Sequence, residues 1–231
     1  MSDFLEEQKR IEEKIWSLAQ IKCGVKVLDV GIGENAHSTK ELIGLGALVT
    51  AMDTDSKTLN KHKNLKIYLV KGGASQLPFI SSEFDFSVAY FTLHEIDPNL
   101  HQKVVSELIR VSQSVMMVEP ELGEDRLYGV YRDIWSRAMH SIGRFEDYQP
   151  LTYWKKSLEE CGANVVVCQK IAHEDKLMGI EADKFMKGVI GMVRNYGVPK
   201  GYVSEFRDLA EDVKRLGMSF SDISVVIGDV S

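Results

Sequence analysis

Two short runs of the sequence combine glycines and carboxylates in a pattern typical of nucleoside binding. In VLDVGIGENAHS, a β-branched run ends near Asp29 and then breaks at Gly31 and Gly33. In VTAMD, the next apolar run ends in Asp53, 20 residues beyond Gly33. A glycine-rich turn between a strand and a helix lets backbone amides approach a ligand, and an acidic side chain at that distance can bind ribose hydroxyls. This spacing predicts a nucleoside site.

Asp29 predicts that the ligand is a cation. The match of Gly31, Gly33 and Ala36 to G-x-G-x-x-A is weak by itself, and a pyrophosphate would lie unfavourably close to this carboxylate. Asn35 stands where a third glycine is common, and asparagine tolerates the left-handed backbone that we expect there. A cationic ligand that contains adenosine satisfies both carboxylates, although Asp53 could instead cap the following helix.

The segment TLHEI supplies a candidate catalytic histidine. His94 could accept a proton from a hydroxyl or an amine, but it could equally be a structural histidine at the rim of the sheet. A metal site is not expected, because His94 and Glu95 lack the second histidine of H-E-x-x-H. Glu119, in VEP, is expected either to point into the same cavity or to end a strand.

Short β-branched runs alternate with helical spacing and predict an α/β fold whose sheet is mainly parallel. The first helix is expected over about 4–20, capped by Ser2 or Asp3. The predicted strands are 25–30, 47–52, 66–70, 85–91, 114–119, 164–170 and 223–229.

Two segments exceed what this alternation needs, and both are predicted to be helical insertions into a single domain, 1–231. In 121–150 one face carries Tyr128, Tyr131, Trp135 and Met139; in 174–221 a wide apolar face carries Phe185, Met186, Val189, Met192 and Val193. The two faces are expected to pack together and cover the substrate side of the cavity. A homodimer contact is the alternative for the second face.

Composition narrows the class of protein. The 231 residues carry a net charge of -6, so a nucleic-acid partner is not expected. The three cysteines, at positions 23, 161 and 168, have no C-x-x-C spacing and are expected to be reduced thiols. A signal peptide and a long apolar span are absent from the sequence, so we expect a cytoplasmic location and no membrane contact.

Five motifs in order resemble the class I methyltransferases that use S-adenosylmethionine, over most of residues 1–171. These are VLDVGIG, AMD, GGASQLPF, FDFSVAYFTLHEI and SVMMVEP. The resemblance implies a Rossmann-like sheet of seven strands with helices on both faces and an antiparallel last strand. It also implies that the cofactor lies over the carboxyl ends of the first four strands.

The resemblance assigns cofactor roles to individual residues. Asp29 would face the methionine ammonium, the glycine loop would line the methionine and ribose, and Asp53 would hold the ribose hydroxyls. The full set implied for the cofactor is Asp29, Gly31, Ile32, Gly33, Asp53, Thr54, Ala74, Ser75 and Tyr90, with adenine near Ala74 and Ser75 and the sulfonium beside Tyr90. Gly73 departs from the family, which often has an aspartate there for the adenine amino group, and Glu34 replaces a small residue.

The expected activity is methyl transfer to a small or medium organic acceptor. Glu119, Tyr128, Tyr131 and Trp135 are the candidate residues of the acceptor pocket. A nicotinamide-dependent oxidoreductase is an alternative suggested by the Y-x-x-x-K spacing of Tyr196 and Lys200, but a glycine and a proline interrupt the helix that this pair requires. A cofactor-binding scaffold protein without catalysis is the third hypothesis.

Overall fold

A seven-stranded sheet lies at the centre of the computed structural model, which describes residues 3–230. The strands are β1 Lys26–Val30, β2 Leu48–Asp53, β3 Tyr68–Lys71, β4 Phe84–Tyr90, β5 Ser112–Pro120, β6 Ala163–Ile171 and β7 Ile223–Val230. Their order is β3-β2-β1-β4-β5-β7-β6, and β7 runs antiparallel to both neighbours while the other pairs are parallel. The predicted fold class is confirmed.

Eight α-helices accompany the described strands. They are α1 Asp3–Ala19, α2 His37–Gly44, α3 Ser56–Lys61, α4 His101–Val111, α5 Arg126–His140, α6 Leu151–Glu160, α7 Gly179–Asn195 and α8 Lys200–Leu216. The expected cap of α1 by Ser2 or Asp3 concerns side chains outside the described part. In this part of the chain, no helix is both long and apolar enough to cross a membrane.

The alternation of side chains along β1 explains why both faces of the sheet are covered. Val27 packs with α1, α2 and α3 on one face, whereas Leu28 and Val30 pack with α4 and α6 on the other. A strand that is buried on both sides needs apolar residues at nearly every position, as VKVLDV has.

The two insertions pack against each other and form a third apolar cluster. Tyr128, Ile134 and Met139 of α5 lie with Met186 of α7 and Phe206 of α8 in this cluster. The face predicted for α7 is largely buried there, except that 43% of Met192 is exposed. The helices of the insertions therefore rest on one another, above the carboxyl ends of the strands.

The chain changes direction between β1 and β4, which are adjacent although β2 and β3 separate them in sequence. Loops leave the carboxyl ends of these two strands in opposite directions. Such a switch point opens a crevice, and ligands of α/β sheets bind there. The glycine turn after β1 and the segment after β4 both lie at this crevice.

Candidate functional site

The glycine turn after β1 is held by the end of β2. The backbone amides of Gly31 and Ile32 donate to the carbonyl oxygen of Met52 at 2.9 and 3.0 Å, and the amide of Gly33 donates to Asp53 Oδ2 at 3.3 Å. The left-handed residue before α2 is Ala36, with φ 48°, and not Asn35 as expected. The turn is thus made one residue later than its composition suggested, directly where α2 begins.

Asp53 is available to a ligand because its neighbour caps the helix. Asp55 accepts from the amides of Lys57 and Thr58 and so forms the N-cap of α3. Asp53 accepts two backbone amides, from Gly33 and, at 2.9 Å, from Asp55. A carboxylate can accept about four hydrogen bonds, so capacity for a ligand remains. The helix-cap hypothesis for Asp53 is therefore wrong.

A cavity of about 320 Å³, here called the cofactor cavity, opens beside this turn. Its walls include five predicted residues, Gly31, Asp53, Thr54, Ala74 and Ser75, together with Val30, Met52, Gly72, Gly73, Thr92, Glu95, Ile96 and Leu100. Ile32 and Gly33 belong to the same turn but do not line the cavity; Ile32 is buried and Gly33 is exposed. A Cβ built on Gly73 would meet no heavy atom within 4 Å, so the position is open towards the cavity.

Asp29 lies away from the cofactor cavity. Its carboxylate is fully buried and accepts from the hydroxyls of Ser38 and Thr39 in the first turns of α2, at 2.8 and 2.5 Å. Burial raises the pKa of Asp29 to about 6, although both hydroxyls oppose the shift. In this structure the side chain fastens α2 to β1, and its predicted contact with a methionine ammonium would need a bridging water.

The parent should lose stability between acidic and neutral pH because of Asp29, and replacing Asp29 with asparagine should abolish this loss. Because the folded state raises the pKa of this carboxyl to about 6, its contribution is present below pH 4 and is lost as the pH rises through 6. The variant should gain roughly 2–3 kcal/mol relative to the parent between pH 4 and pH 7. Urea unfolding of both proteins at the two pH values measures this difference, and a constant difference would contradict the assignment.

A second cavity of about 580 Å³, here called the aromatic cavity, lies on the α1 side of the segment after β4. Aromatic rings dominate its walls, and three of them, Tyr90, Tyr128 and Tyr131, were predicted site residues. The other wall residues are Phe4, Gln8, Ile11, Glu12, His37, Phe91, His94, Glu95, Pro120, Tyr148, His173, Phe185, Phe220, Ser221 and Ile223. Glu95 also lines the cofactor cavity, so the two cavities share this residue.

Two predicted acceptor residues support the aromatic cavity from behind. Trp135 stacks on Tyr131, with ring centroids 6.1 Å apart and an angle of 17° between the planes. Glu119 accepts from the amides of Thr92, Leu93 and His94 at 2.9, 2.7 and 3.3 Å. It therefore holds the short 3-10 turn Leu93–Glu95 at the end of β4.

His94 is bound between two carboxylates. Its Nδ1 lies 2.6 Å from Glu119 Oε2, and its Nε2 lies 3.5 Å from Glu146 Oε1. Burial by itself would lower the pKa of His94, but Glu119, Glu146 and Glu95 outweigh it and raise the pKa to about 9. The two carboxylates therefore favour the protonated ring, which donates to Glu119, over a neutral ring that could accept a proton.

Glu95, Glu146 and His94 form a compact group at the junction of the cavities. One ligand atom from each lies within 4.8 Å of the other two, a separation at which a small cation could contact all three. Burial raises the pKa of Glu95 and of Glu146 above the ordinary range, although the charge of His94 opposes both shifts. These carboxylates are thus in a setting where either a proton or a cation relieves their charge.

Sequence reasoning missed Glu146, Tyr148 and Phe220 as residues of the site, whereas it placed Phe185 on the covering face. Glu146 and Tyr148 come from the irregular stretch between α5 and α6, which has no periodicity to assign a face. Phe220 precedes β7 at the end of the second insertion. Their shared signal is position: each lies in a segment that joins a helix to an element at the carboxyl edge of the sheet.

A concavity larger than either of these cavities lies elsewhere. It measures about 800 Å³ and lies at the amino ends of β1, β2 and β3, among residues such as Lys26, Leu48 and Tyr68. Ligands of open α/β sheets bind at the carboxyl ends of the strands, and this surface also lacks a convergent group of titratable side chains. The two cavities at the switch point are therefore the candidate site.

Part of the chain is similar in sequence to known methyltransferases. Residues 28–114 match the family described as a methyltransferase domain. A protein of Synechocystis sp. named "Uncharacterized methyltransferase sll0829" is 37% identical over 93 residues, 39% of this chain and 43% of that protein. Demethylmenaquinone methyltransferase of Mycobacterium marinum is 29% identical over 139 residues, 59% of this chain and 60% of that protein. The chain thus aligns with 43–60% of the length of these relatives.

A solved structure shares the architecture over nearly the whole chain. The crystal structure of an S-adenosylmethionine-dependent methyltransferase from Archaeoglobus fulgidus superposes with a TM-score of 0.61 at 14% identity, covering 96% of this chain and 94% of that one. At that identity the likeness concerns the fold. The sheet order, the glycine turn and the matched segment agree: the protein has the fold of the methyltransferase on which it superposes, and its residues 28–114 match the methyltransferase-domain family.

Proposed function

We propose that this protein transfers the methyl group of S-adenosylmethionine to a small or medium organic acceptor. The observation that carries the proposal is the meeting of the cofactor cavity and the aromatic cavity at Glu95. Methyl transfer is an in-line displacement, so donor and acceptor must lie on opposite sides of one shared junction. A protein that only binds one ligand has no need for two cavities that share a wall residue.

The residues of the cofactor cavity fit S-adenosylmethionine. Asp53 keeps free acceptor capacity for ribose hydroxyls, and the open space at Gly73 leaves room for the adenine edge beside the backbone of Ala74 and Ser75. The bound cofactor supplies a methyl group that the sulfonium has already activated. The chain then has to orient this group and exclude water, and the roles of Asp29, Ile32, Thr54 and Tyr90 in doing so stay predictions.

The proton acceptor in this proposal is a carboxylate, because Glu119 and Glu146 favour the protonated form of His94. His94 orients the junction by linking Glu119 to Glu146, and Glu95 faces both cavities. A general base is needed only for acceptors that bind with their proton. We therefore propose His94 as a positioning residue, and keep Tyr128 and Tyr131 as acceptor-pocket residues with Trp135 and Glu119 behind them.

The insertions provide the proposed cover of the acceptor side. Phe185 of α7 lines the aromatic cavity and lies against Tyr131 of α5, with ring centroids 5.8 Å apart. An apolar cover would exclude water from the junction. The apolar face of α7, for which a homodimer contact was the alternative, packs largely against α5 and α8. Dimerisation therefore stays a prediction that this packing does not support.

The nicotinamide alternative receives no support from the geometry. Tyr196 ends α7, Pro199 precedes α8 and Lys200 begins α8, so the tyrosine and the lysine do not share one helix face. We also propose a cytoplasmic place of action, consistent with the three cysteines being free thiols, and no nucleic-acid partner, consistent with the net charge of -6.

Asp53→Ala should weaken binding of S-adenosylhomocysteine by about 1–3 kcal/mol, roughly 5-fold to 150-fold in Kd, because charge-assisted hydrogen bonds to the ribose are lost. Asp55→Ala is the matched control: it removes the cap of α3 and lowers stability, yet it does not line the cofactor cavity. Calorimetric titration of both variants tests the proposal. Equal affinity in the Asp53 variant and the parent, or tighter binding of NADH by the parent, would overturn it.

A further inference from the structure

We propose that the acceptor is an amine, which enters the aromatic cavity as an ammonium ion and is methylated on its nitrogen. The inference rests on the proposed function and deepens it by naming the acceptor class. It is carried by the charge, the aromatic walls and one unpaired amide of this cavity.

Carboxylates exceed fixed cations around the aromatic cavity. Glu12 and Glu95 line it, and Glu146 and Glu119 lie directly behind His94. Lysine and arginine do not occur among the described residues of the lining, so positive charge there depends on histidines. His37 Nε2 lies 3.2 Å from Glu12 Oε1, and the charge of Arg144 acts on Glu95. However, His94 by itself lies between Glu119 and Glu146 and balances only one of these two carboxylates. A cationic group on the substrate would neutralise this surplus, whereas a carboxylate, phosphate or phenolate would be repelled.

The walls are suited to an ammonium ion as well. Tyr90, Phe91, Tyr131, Tyr148 and Phe185 all contribute rings to the lining. The face of an aromatic ring attracts a cation within about 6 Å, and the attraction is largest where water is excluded. Aromatic walls next to carboxylates form the combination that binds alkylated ammonium groups, which cannot make many hydrogen bonds.

The direction of charge movement during transfer agrees with an amine. Glu95 accepts a proton from the ammonium group, the freed nitrogen lone pair forms the bond to the methyl carbon, and the carbon–sulfur bond breaks with its electron pair remaining on sulfur. The positive charge thereby passes into the aromatic cavity on the methylated nitrogen. Carboxylates and ring faces on that side stabilise the charge as it arrives, which is the condition for lowering the barrier.

Gln8 adds an observation independent of the acidic groups. Gln8 lines the aromatic cavity, and its inaccessible Nε2 has no hydrogen-bond partner among the described residues, so a rotation of the side chain is needed to present this donor to a ligand. A buried donor without a partner is costly, and a ligand that supplies an acceptor atom removes this cost. We therefore expect the amine to carry a hydroxyl or carbonyl oxygen at some distance from its nitrogen.

Three probes of matched shape test the acceptor class: 2-phenylethylamine, 2-phenylethanol and phenylacetate. Each is titrated into the full chain, with and without S-adenosylhomocysteine, and binding is followed by calorimetry. We expect the amine to bind at least about 10-fold more tightly than the alcohol, equivalent to about 1.4 kcal/mol, and the carboxylate to bind least. Equal or tighter binding of the alcohol or the carboxylate would overturn the proposal.

Glu146→Gln should weaken amine binding at least about 10-fold while S-adenosylhomocysteine still binds as in the parent. Glu121→Gln is the matched control, because this equally buried carboxylate, which directly follows β5, binds Leu151 and Ser224, whereas Glu146 lies 3.5 Å from His94. Amine affinity that is unchanged in the Glu146 variant would defeat the proposal. A second result would also defeat it: Mn²⁺ or Zn²⁺ binds the parent stoichiometrically, competes with the amine, and no longer binds the Glu146 variant. The cation at this site would then be a metal ion. If S-adenosylhomocysteine does not bind the parent, the proposed function is wrong. The titrations of the three probes without S-adenosylhomocysteine still test whether the aromatic cavity prefers an amine.

Discussion

Glu119→Ala should lower the free energy of unfolding by about 3–5 kcal/mol and dismantle the junction between the cavities. The substitution leaves the amides of Thr92, Leu93 and His94 without their acceptor, and it leaves the His94 ring as a buried cation without its shortest contact. Because Glu119 is a principal reason that the pKa of His94 reaches about 9, this pKa should also fall. Methyl transfer should be lost together with the geometry of the 3-10 turn.

The histidine titration distinguishes this role from a general loss of stability. Glu121→Ala removes a comparably buried carboxylate just beyond the end of β5 and should also destabilise the protein, yet it should leave the titration of His94 unchanged. Chemical denaturation gives the stabilities, and NMR of labelled histidine gives the pKa values. If the alanine variant does not fold, the pKa of His94 can be measured in Glu119→Gln instead, because glutamine keeps one acceptor oxygen. An unaltered pKa of His94 in either Glu119 variant would refute the assigned role.

Gly31→Val should abolish cofactor binding, with a loss of at least about 100-fold, or roughly 3 kcal/mol. Gly31 has φ +85°, where a β-branched residue is strained, and a Cβ built there would lie 2.5 Å from Thr92 Oγ1 and 2.6 Å from Thr92 Cγ2. Thr92 must then move. Its hydroxyl lies 3.0 Å from the carbonyl oxygen of Val30 and its amide donates to Glu119, so the shift would reach the ends of β1, β4 and β5 together.

Gly24→Val separates the clash at Gly31 from the strain of the backbone. Gly24 has nearly the same φ, +86°, but a Cβ there meets nothing within 4 Å. We expect this variant to lose about 1–2 kcal/mol of stability from strain and to bind S-adenosylhomocysteine normally. Removing the obstructing side chain with Thr92→Gly should restore part of the affinity of the Gly31 variant. Full affinity in Gly31→Val alone would show that the turn does not approach the cofactor.

The sheet could be predicted from the sequence, and so could five residues that line the cofactor cavity. All seven predicted strands overlap observed ones, because strands buried on both faces need short runs that are mostly apolar, such as KVLDV of β1 and ISVVIGDV of β7. The glycine turn and Asp53 were identifiable for a related reason: a ligand at the end of a parallel strand is bound by residues that directly follow that strand. Local spacing therefore carries the information.

The side chains around His94 come from segments that are distant in sequence and meet only in the folded chain. Glu146 reaches His94 from a loop 52 residues later, and Glu119 turns from a candidate pocket residue into the support of the His94 turn. Asp29, which the motif assigned to a ligand, is fully buried and binds two hydroxyls of α2. These outcomes depend on the depth at which each side chain is buried and on packing between the two insertions. Neither quantity is local, since hydrophobic periodicity indicates which face of an element is apolar and leaves open which distant element covers it.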